Sequence, residues 1–388
     1  MAGIRPADRK SEAAMEKRKK IIAAGHICID ITPAFPAGKG TEIGRVLMPG
    51  KLLHVGKADI HTGGSVANTG LAMKILGEDV TLMGKIGTDE FGDLIMNVLD
   101  RYDAGSGMIR AEGESTSYSI VLAIPGIDRI FLHNPGANDT FLPSDVPDAM
   151  LADAVLFHFG YPPLMAAMYA DDGAALRELM KKAQDAGCVT SLDLAAVDPD
   201  SPAGKADWKK ILAAALPFVD FFVPSAEELL FMLDRDRYGR LEETAAGRDL
   251  TEVLDLENDI RPLAEECLQL GAKTVLIKCG VPGLYFRSSG AEDLSVIAEK
   301  TGLDAAAWGS QTVYEKSYRP DRVLSGTGAG DTSIAAFLTA VLRGYGPEDA
   351  LHLSAAEGAS CVEAYDALSG LRKFDELLAK IRGGWEKI

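Results

Sequence analysis

Cysteine is scarce and odd in number. Cys28, Cys188, Cys267, Cys279 and Cys361 are scattered, and no Cys-x-x-Cys spacing occurs. This fits a reducing compartment and buried free thiols rather than a disulfide framework. Histidine is as thin, with six isolated residues and no His-Glu-x-x-His or comparable metal-ligand spacing. Basic charge is in deficit: 40 Lys and Arg face 57 Asp and Glu, for a formal net charge of −17. Phosphate backbones need basic surface, so nucleic acid is excluded as the main partner; a mononucleotide, held by a few local donors, is not. No apolar run is long enough to span a bilayer, so no membrane partner is expected. The first twenty residues are charged, basic from Lys17 to Lys20, and lack the apolar run of a signal peptide. They are expected to form a polar extension, and the protein is expected to be cytoplasmic. Walker A spacing, internal repeats and low-complexity tracts are absent too.

What is present is organised around Ser325-Gly326-Thr327-Gly328-Ala329-Gly330-Asp331. After it, Ile334, Phe337, Leu338, Val341 and Leu342 recur at helical spacing, and Gly344 follows where a C-cap belongs. Arg322-Val323-Leu324 before it reads as a strand. The pattern therefore places three glycines and an aspartate at a helix N-terminus. Free N–H groups and the positive end of the helix dipole favour an anion there, and glycine lets the backbone close around it. A carboxylate beside a phosphate would repel it, so Asp331 makes chemical sense as the base that takes a proton from an attacking hydroxyl. Taken alone, the stretch is equally well read as a tight turn with an acidic first helical residue.

The rest of the chain alternates strand and helix. Ile21 to Asp30 is an apolar run ending in an acid, expected as one buried parallel strand with Asp30 at its carboxyl end. Residues 31–60 carry prolines, glycines and short pieces such as Arg45-Val46-Leu47 and Leu52-Leu53-His54-Val55, expected as short strands of an accessory sheet. Gly63-Gly64 leads into a helix carrying Asn68, whose amide suits a hydroxyl; a capping Ser65 and a solvated Asn68 is the plainer alternative. Residues 115–133 alternate and turn like a hairpin able to join that sheet. Strands follow at 154–160, 188–193, 218–223 and 274–278, with helices between, while 287–320 reads as irregular and is expected to loop over a nucleotide. Such alternation signals a mostly parallel sheet covered on both faces.

Three ordered pieces carry a resemblance: Gly63-Gly64 with Asn68, the segment from Gly84 to Gly92, and Gly328-Ala329-Gly330-Asp331. With them, residues 21 to about 375 resemble the PfkB, or ribokinase-like, carbohydrate kinases. The resemblance implies an α/β fold, a ribokinase-like three-layer α/β/α sandwich with a small β-sheet lid. The large domain would comprise 21–30, 61–112 and 134–388, the lid 31–60 and 113–133, and the extension 1–20. It implies ATP with Mg²⁺ as phosphoryl donor and a small sugar or sugar-like alcohol as acceptor. Asp331 would be the base, with Gly328, Ala329 and Gly330 as the anion hole. Asp30 and Asn68 would hold sugar hydroxyls where Gly64 admits the sugar. Lys278, Gly280 and Gly283 would lie along ATP, and Glu228 would organise Mg²⁺ through water. The lid would also make a homodimer interface.

Two positions depart from the pattern. Ser325 and Gly326 stand where relatives carry Asp and Thr, and that Asp helps hold a monovalent cation, so potassium activation does not carry over. Ser225 stands where relatives carry Asn, three residues before Glu228. Two other readings stay open: a nucleoside kinase on the same scaffold, and a non-catalytic sugar- or nucleotide-binding regulator. Phe35 is one of few aromatics in the lid segments. Lys39, Arg45, Lys57 and Arg129 leave room for a phosphosugar. His54, His61 and His133 are the histidines placed for substrate contact.

Overall fold

The computed structural model describes residues 20–36, 43–125 and 130–388. All of the 1–20 extension but Lys20, together with Lys39, Arg129 and most of the 125–128 turn, therefore lies outside the described residues. Eight strands make the main sheet: β1 (Lys20–Gly25), β4 (Val80–Met83), β9 (Ala154–Gly160), β10 (Val189–Leu192), β11 (Phe221–Phe222), β12 (Thr274–Lys278), β13 (Gly283–Ser288) and β14 (Thr312–Lys316). Their order is β14-β13-β12-β11-β10-β9-β1-β4; β4 through β12 run parallel and β13 and β14 antiparallel.

Buried residues on both faces of the parallel strands, such as Ile21 to Ala24 and Val189 to Leu192, make them fit a sheet covered twice. In β1, Ile21 and Ala23 enter one core while Ile22 and Ala24 enter the other. Helices Ser65–Ile75, Ala329–Leu342 and Pro347–Cys361 cover the first face; Ala174–Asp185, Trp208–Ala215, Ala226–Leu233 and Arg261–Gln269 cover the second. The three layers are those of the expected sandwich. The Ala329–Leu342 helix is buried at every residue from Asp331 to Leu342, so the apolar stripe seen in the sequence is only part of its contact surface. Phe337 meets Phe221, Phe286 and Trp308 at centroid distances of 5.8–5.9 Å. Burying one such ring stabilises the fold by on the order of 2–3 kcal/mol. The helix that starts at the glycine stretch is thus anchored in the core.

A second sheet has the order β3-β2-β7-β8, built from β2 (Cys28–Pro33), β3 (Ala58–Gly63), β7 (Tyr118–Leu122) and β8 (Ile130–Asn134). The short strands β5 (Lys85–Gly87) and β6 (Ile109–Ala111) pair separately. Cross-strand register puts His61, Asp30, Ser119 and His133 in one row, and Ile60, Ile31, Ile120 and Leu132 in the next. Adjacent rows face opposite sides, so one face is polar and the other apolar.

Several expectations change. The run from Ile21 to Asp30 is two strands broken at His26-Ile27, because β1 ends at Gly25 with φ 126 and the chain crosses to the small sheet. Asp30 therefore sits within β2, not at a main-sheet strand end. Ile43–Val46 is a short helix, and Leu52 to Val55 forms no strand. Arg322 to Leu324 is a loop, held by Leu324 N–H on the Val362 carbonyl at 2.8 Å. Segment 287–320 is ordered: helices Ser295–Thr301 and Ala305–Trp308 lead to β14, which extends the main sheet. Its strand pattern was masked by the charges of Glu315 and Lys316 on an edge strand. Among the described residues no helix is long and apolar enough to cross a membrane.

Candidate active site

Gly328 caps the Ala329–Leu342 helix with φ 77, and a Cβ there would collide with Ala367. Only glycine fits that turn without strain. The Ala329 N–H turns back to the Gly326 carbonyl at 3.3 Å, while Gly330 and Asp331 occupy the first turn, where N–H groups lack intrahelical acceptors. Asp331 is nearly fully buried. Its Oδ2 accepts from Asn68 Nδ2 at 3.0 Å and its Oδ1 from Thr69 Oγ1 at 3.2 Å. Tyr161 Oη lies 2.9 and 2.8 Å from the two oxygens. Burial pushes this carboxyl up from its ordinary range, against the Lys278 ammonium and the bonds from Asn68, Tyr161 and Thr69. A carboxylate raised in this way is better matched to exchanging a proton near neutral pH.

Lys278 ends β12 beside the glycine turn; a Cβ built at Gly330 would lie 3.3 Å from its Cδ and 3.7 Å from its Nζ. Its Nζ bonds Asp193 Oδ1 at 2.6 Å, in a pair that is almost wholly buried. Burial works against the ammonium, but Asp193, Glu228 and Asp331 outweigh it and hold the Lys278 pKa above the usual lysine value. Lys278 is therefore a fixed cation next to a helix N-terminus, which suits a phosphate.

A cavity of about 590 Å³ opens from this point. Glu228, Lys278, Gly280, Gly283, Gly328, Ala329, Gly330 and Asp331 all line it. Glu228 also belongs to a capping box: its Oε2 accepts from Ser225 N–H at 2.7 Å, and Ser225 Oγ accepts from Glu228 N–H at 3.2 Å. Ser225 thus has a structural task of its own. No cluster of three or more His, Cys, Asp or Glu able to hold a metal occurs among the described residues. The wall carries four side-chain carboxylates, Glu227, Glu228, Asp249 and Asp331, and one of them, Glu228, fits Mg²⁺ carried by water and phosphate oxygens, which is how that ion usually binds. Ser325 Oγ accepts from Thr327 N–H at 3.1 Å, a turn contact within the loop.

On the other side of Asp331 lies the polar face of the small sheet. Gly64, with φ 85, packs so closely that a Cβ would come within 2.5 Å of the His26 carbonyl. The His26 ring is 6.1 Å from Tyr161 and 5.1 Å from His133. His133 Nδ1 meets Ser119 Oγ at 3.0 Å. Nδ1 of His26 and Nε2 of His133 are buried without a hydrogen-bond partner. Burial, then the neighbouring His133, holds His26 well below the ordinary imidazole pKa; burial does the same for His133. Both are neutral, each with one donor and one acceptor to offer. Burial raises the Asp30 carboxyl, opposed by Cys28, Ser119 and His61.

The structure thus gathers Asp331, Asn68, Gly64, Lys278, Glu228 and the four glycines at 280, 283, 328 and 330 around one centre. Asp30 lies at its edge on the small sheet, where a Cβ built at Gly63, next to Gly64, would come within 2.2 Å of its carboxylate. Asn68, expected to hold a sugar hydroxyl, is buried and donates its amide to Asp331 in this structure. His61 lies in the row of Asp30, paired with Asp59 at 2.9 Å, whereas His54 is exposed outside it. Sequence reasoning missed Tyr161, Thr69, His26 and the partnership of Asp193 with Lys278. Asp193 and Tyr161 follow the carboxyl ends of β10 and β9, the edge where parallel sheets put their ligands, and that signal was available.

The pfkB family carbohydrate kinase profile matches residues 19–373. An uncharacterized sugar kinase of Archaeoglobus fulgidus is 24% identical over 305 residues, 78% of this chain and 98% of the relative. Among solved structures, the fructokinase of Xylella fastidiosa with bound ATP superposes with a TM-score of 0.67 at 21% identity, covering 94% of this chain and 99% of the other. The Arabidopsis thaliana ribokinase complexed with ribose and ATP gives 0.67 at 19%, covering 93% and 98%. With a family profile spanning nearly its whole length and the same fold in both solved kinases, this chain belongs to the pfkB family of carbohydrate kinases.

Proposed function

We propose that the enzyme transfers the γ-phosphoryl of ATP to a hydroxyl of a small sugar or polyol, with Asp331 as base. The observation that carries this reading is the position of Asp331: it stands where the cavity lined by Lys278 and the glycine turn meets the polar face of the small sheet. Asp331 accepts the hydroxyl proton as the acceptor oxygen attacks the γ-phosphorus and the bond to the ADP oxygen breaks. Phosphoryl transfer asks the protein chiefly for alignment and charge neutralisation. Gly328, Ala329 and Gly330 offer the helix-start backbone to the charge that moves, and Lys278 adds a fixed cation. Gly280 and Gly283 line the path of the nucleotide. Mg²⁺, when bound, neutralises the phosphates, and Glu228 is the residue that would hold its waters.

The acceptor occupies the polar side. Asn68 aligns Asp331, Gly64 leaves room, and Asp30, with the neutral imidazoles of His26 and His133, presents donors and acceptors to several hydroxyls. The small sheet is a lid over this space. Its apolar row supports a homodimer through the lid: Ile60 and Leu132 are 49% and 52% exposed.

Release of ADP across a panel of pentoses, hexoses, keto-deoxy acids, inositol and nucleosides identifies the acceptor. With that acceptor, Asp331→Asn lowers kcat by roughly a thousandfold, within the range expected for loss of a general base, while ATP still binds. Near-normal turnover in this variant would remove Asp331 from the role of base.

A further inference from the structure

The hydroxyl of Tyr161 occupies the place on Asp331 where an acceptor hydroxyl has to stand. Asn68 and Thr69 take one lone pair on each carboxylate oxygen, and the phenol, at 2.9 and 2.8 Å, covers both remaining directions with its single proton. Burial and the nearby Asp331 and Asp193 carboxylates keep that phenol protonated, so it donates and does not compete as a base. The backbone adds a second observation. Tyr161 sits at φ 68 and ψ 40, left-handed values that a side-chain-bearing residue rarely adopts, between Gly160 and Pro162. Such a conformation persists only where the surroundings enforce it, and it clusters at functional positions. The His26 ring at 6.1 Å flanks the phenol from the small sheet, so the side chain lies between nucleotide cavity and acceptor space.

We propose that Tyr161 guards the base: its phenol holds the acceptor's place on Asp331 until a sugar hydroxyl displaces it, and so keeps water from being phosphorylated. The inference rests on Asp331 being the base. In the side reaction that the guard prevents, Asp331 takes a proton from water, the water oxygen bonds to the γ-phosphorus of ATP, and the bond to the ADP oxygen breaks, leaving ADP and phosphate. Water is always present at far higher concentration than a sugar, so an unguarded base beside the γ-phosphoryl would lose ATP to hydrolysis. Tyr161 is a positioning residue in this scheme, acting through Asp331.

The test uses the full chain with ATP and Mg²⁺ and no acceptor, reading phosphate release. Tyr161→Phe removes only the hydroxyl and is expected to raise hydrolysis at least tenfold. A second variant, Tyr161→Gly, removes the whole side chain at a left-handed position that glycine adopts freely, and it is expected to raise hydrolysis too. The rise disappears in the Tyr161→Phe, Asp331→Asn double variant. Hydrolysis within twofold of wild type in both single variants, or a rise that survives loss of Asp331, overturns the guard. Sugar phosphorylation by Asp331→Asn alone would instead overturn the base itself, so the two failures are told apart.

Discussion

The two sheets of this protein do opposite things with the same alternation of side chains. The eight-stranded sheet buries both faces, as Ile21 and Ala23 on one side of β1 and Ile22 and Ala24 on the other make plain. It carries no chemistry along its strands. Its contribution comes at strand and helix ends, where Lys278, Tyr161 and Asp331 are held by a dense core. The four-stranded sheet keeps one face polar, His61, Asp30, Ser119 and His133, and one apolar, Ile60, Ile31, Ile120 and Leu132. On the function proposed above, the strands themselves would form the acceptor site. A rigid doubly covered sheet would fix where charge moves; a sheet covered on one side offers a surface that can be rewritten residue by residue. On that reading reaction type belongs to the first sheet, and choice of acceptor to the second.

Changes at the large sheet should therefore strike kcat, and changes at the small sheet acceptor KM. Lys278→Met removes the cation beside Gly330 and leaves Asp193 buried without its partner. A drop in kcat of about a hundredfold is expected, the scale of losing one preorganised charge at a reacting centre. The pH profile moves with it. Lys278 holds the Asp331 pKa down against burial, so its removal raises that pKa. A base works deprotonated, so the acid limb of kcat/KM moves to higher pH. A limb that stays in place would uncouple the two residues. Asp30→Ala is expected to raise acceptor KM roughly tenfold or more, the scale of losing a hydrogen bond to a charged group, with ATP KM unchanged. An equal loss in kcat would erase the division between the sheets. The smallest effect on activity is expected on the apolar face. Ile60→Asp with Leu132→Asp should shift sedimentation from dimer to monomer and leave phosphorylation within a fewfold of wild type. A wild-type protein that sediments as a monomer would end the reading of that face as an interface.

The parallel core was legible because runs such as Thr274 to Lys278 and Ala154 to Gly160 have only one stable setting, a sheet covered on both faces. The glycine turn before Asp331 was legible because few physical arrangements call for three glycines at a helix start. Less local features were hidden. Ile21 to Asp30 reads as one apolar run, and nothing in its composition says that the chain changes sheet at His26. Segment 287–320 was obscured because an edge strand tolerates the charge of Glu315 and Lys316. Tyr161 carries no motif; its role comes from a backbone conformation and from Asp331, 170 residues away.

By itself the sequence determined the layered architecture and the family, and pointed to Asp331 as the candidate base, since periodicity and glycine placement act over short spans of chain. Only the tertiary structure decided which atoms face that base. Tyr161, after a main-sheet strand, and Asn68 and Thr69, on the Ser65–Ile75 helix, converge on Asp331, while Asp30 packs on Gly63 from the small sheet. Such convergence depends on strand register and helix packing summed over the whole core, and no single stretch of residues encodes it.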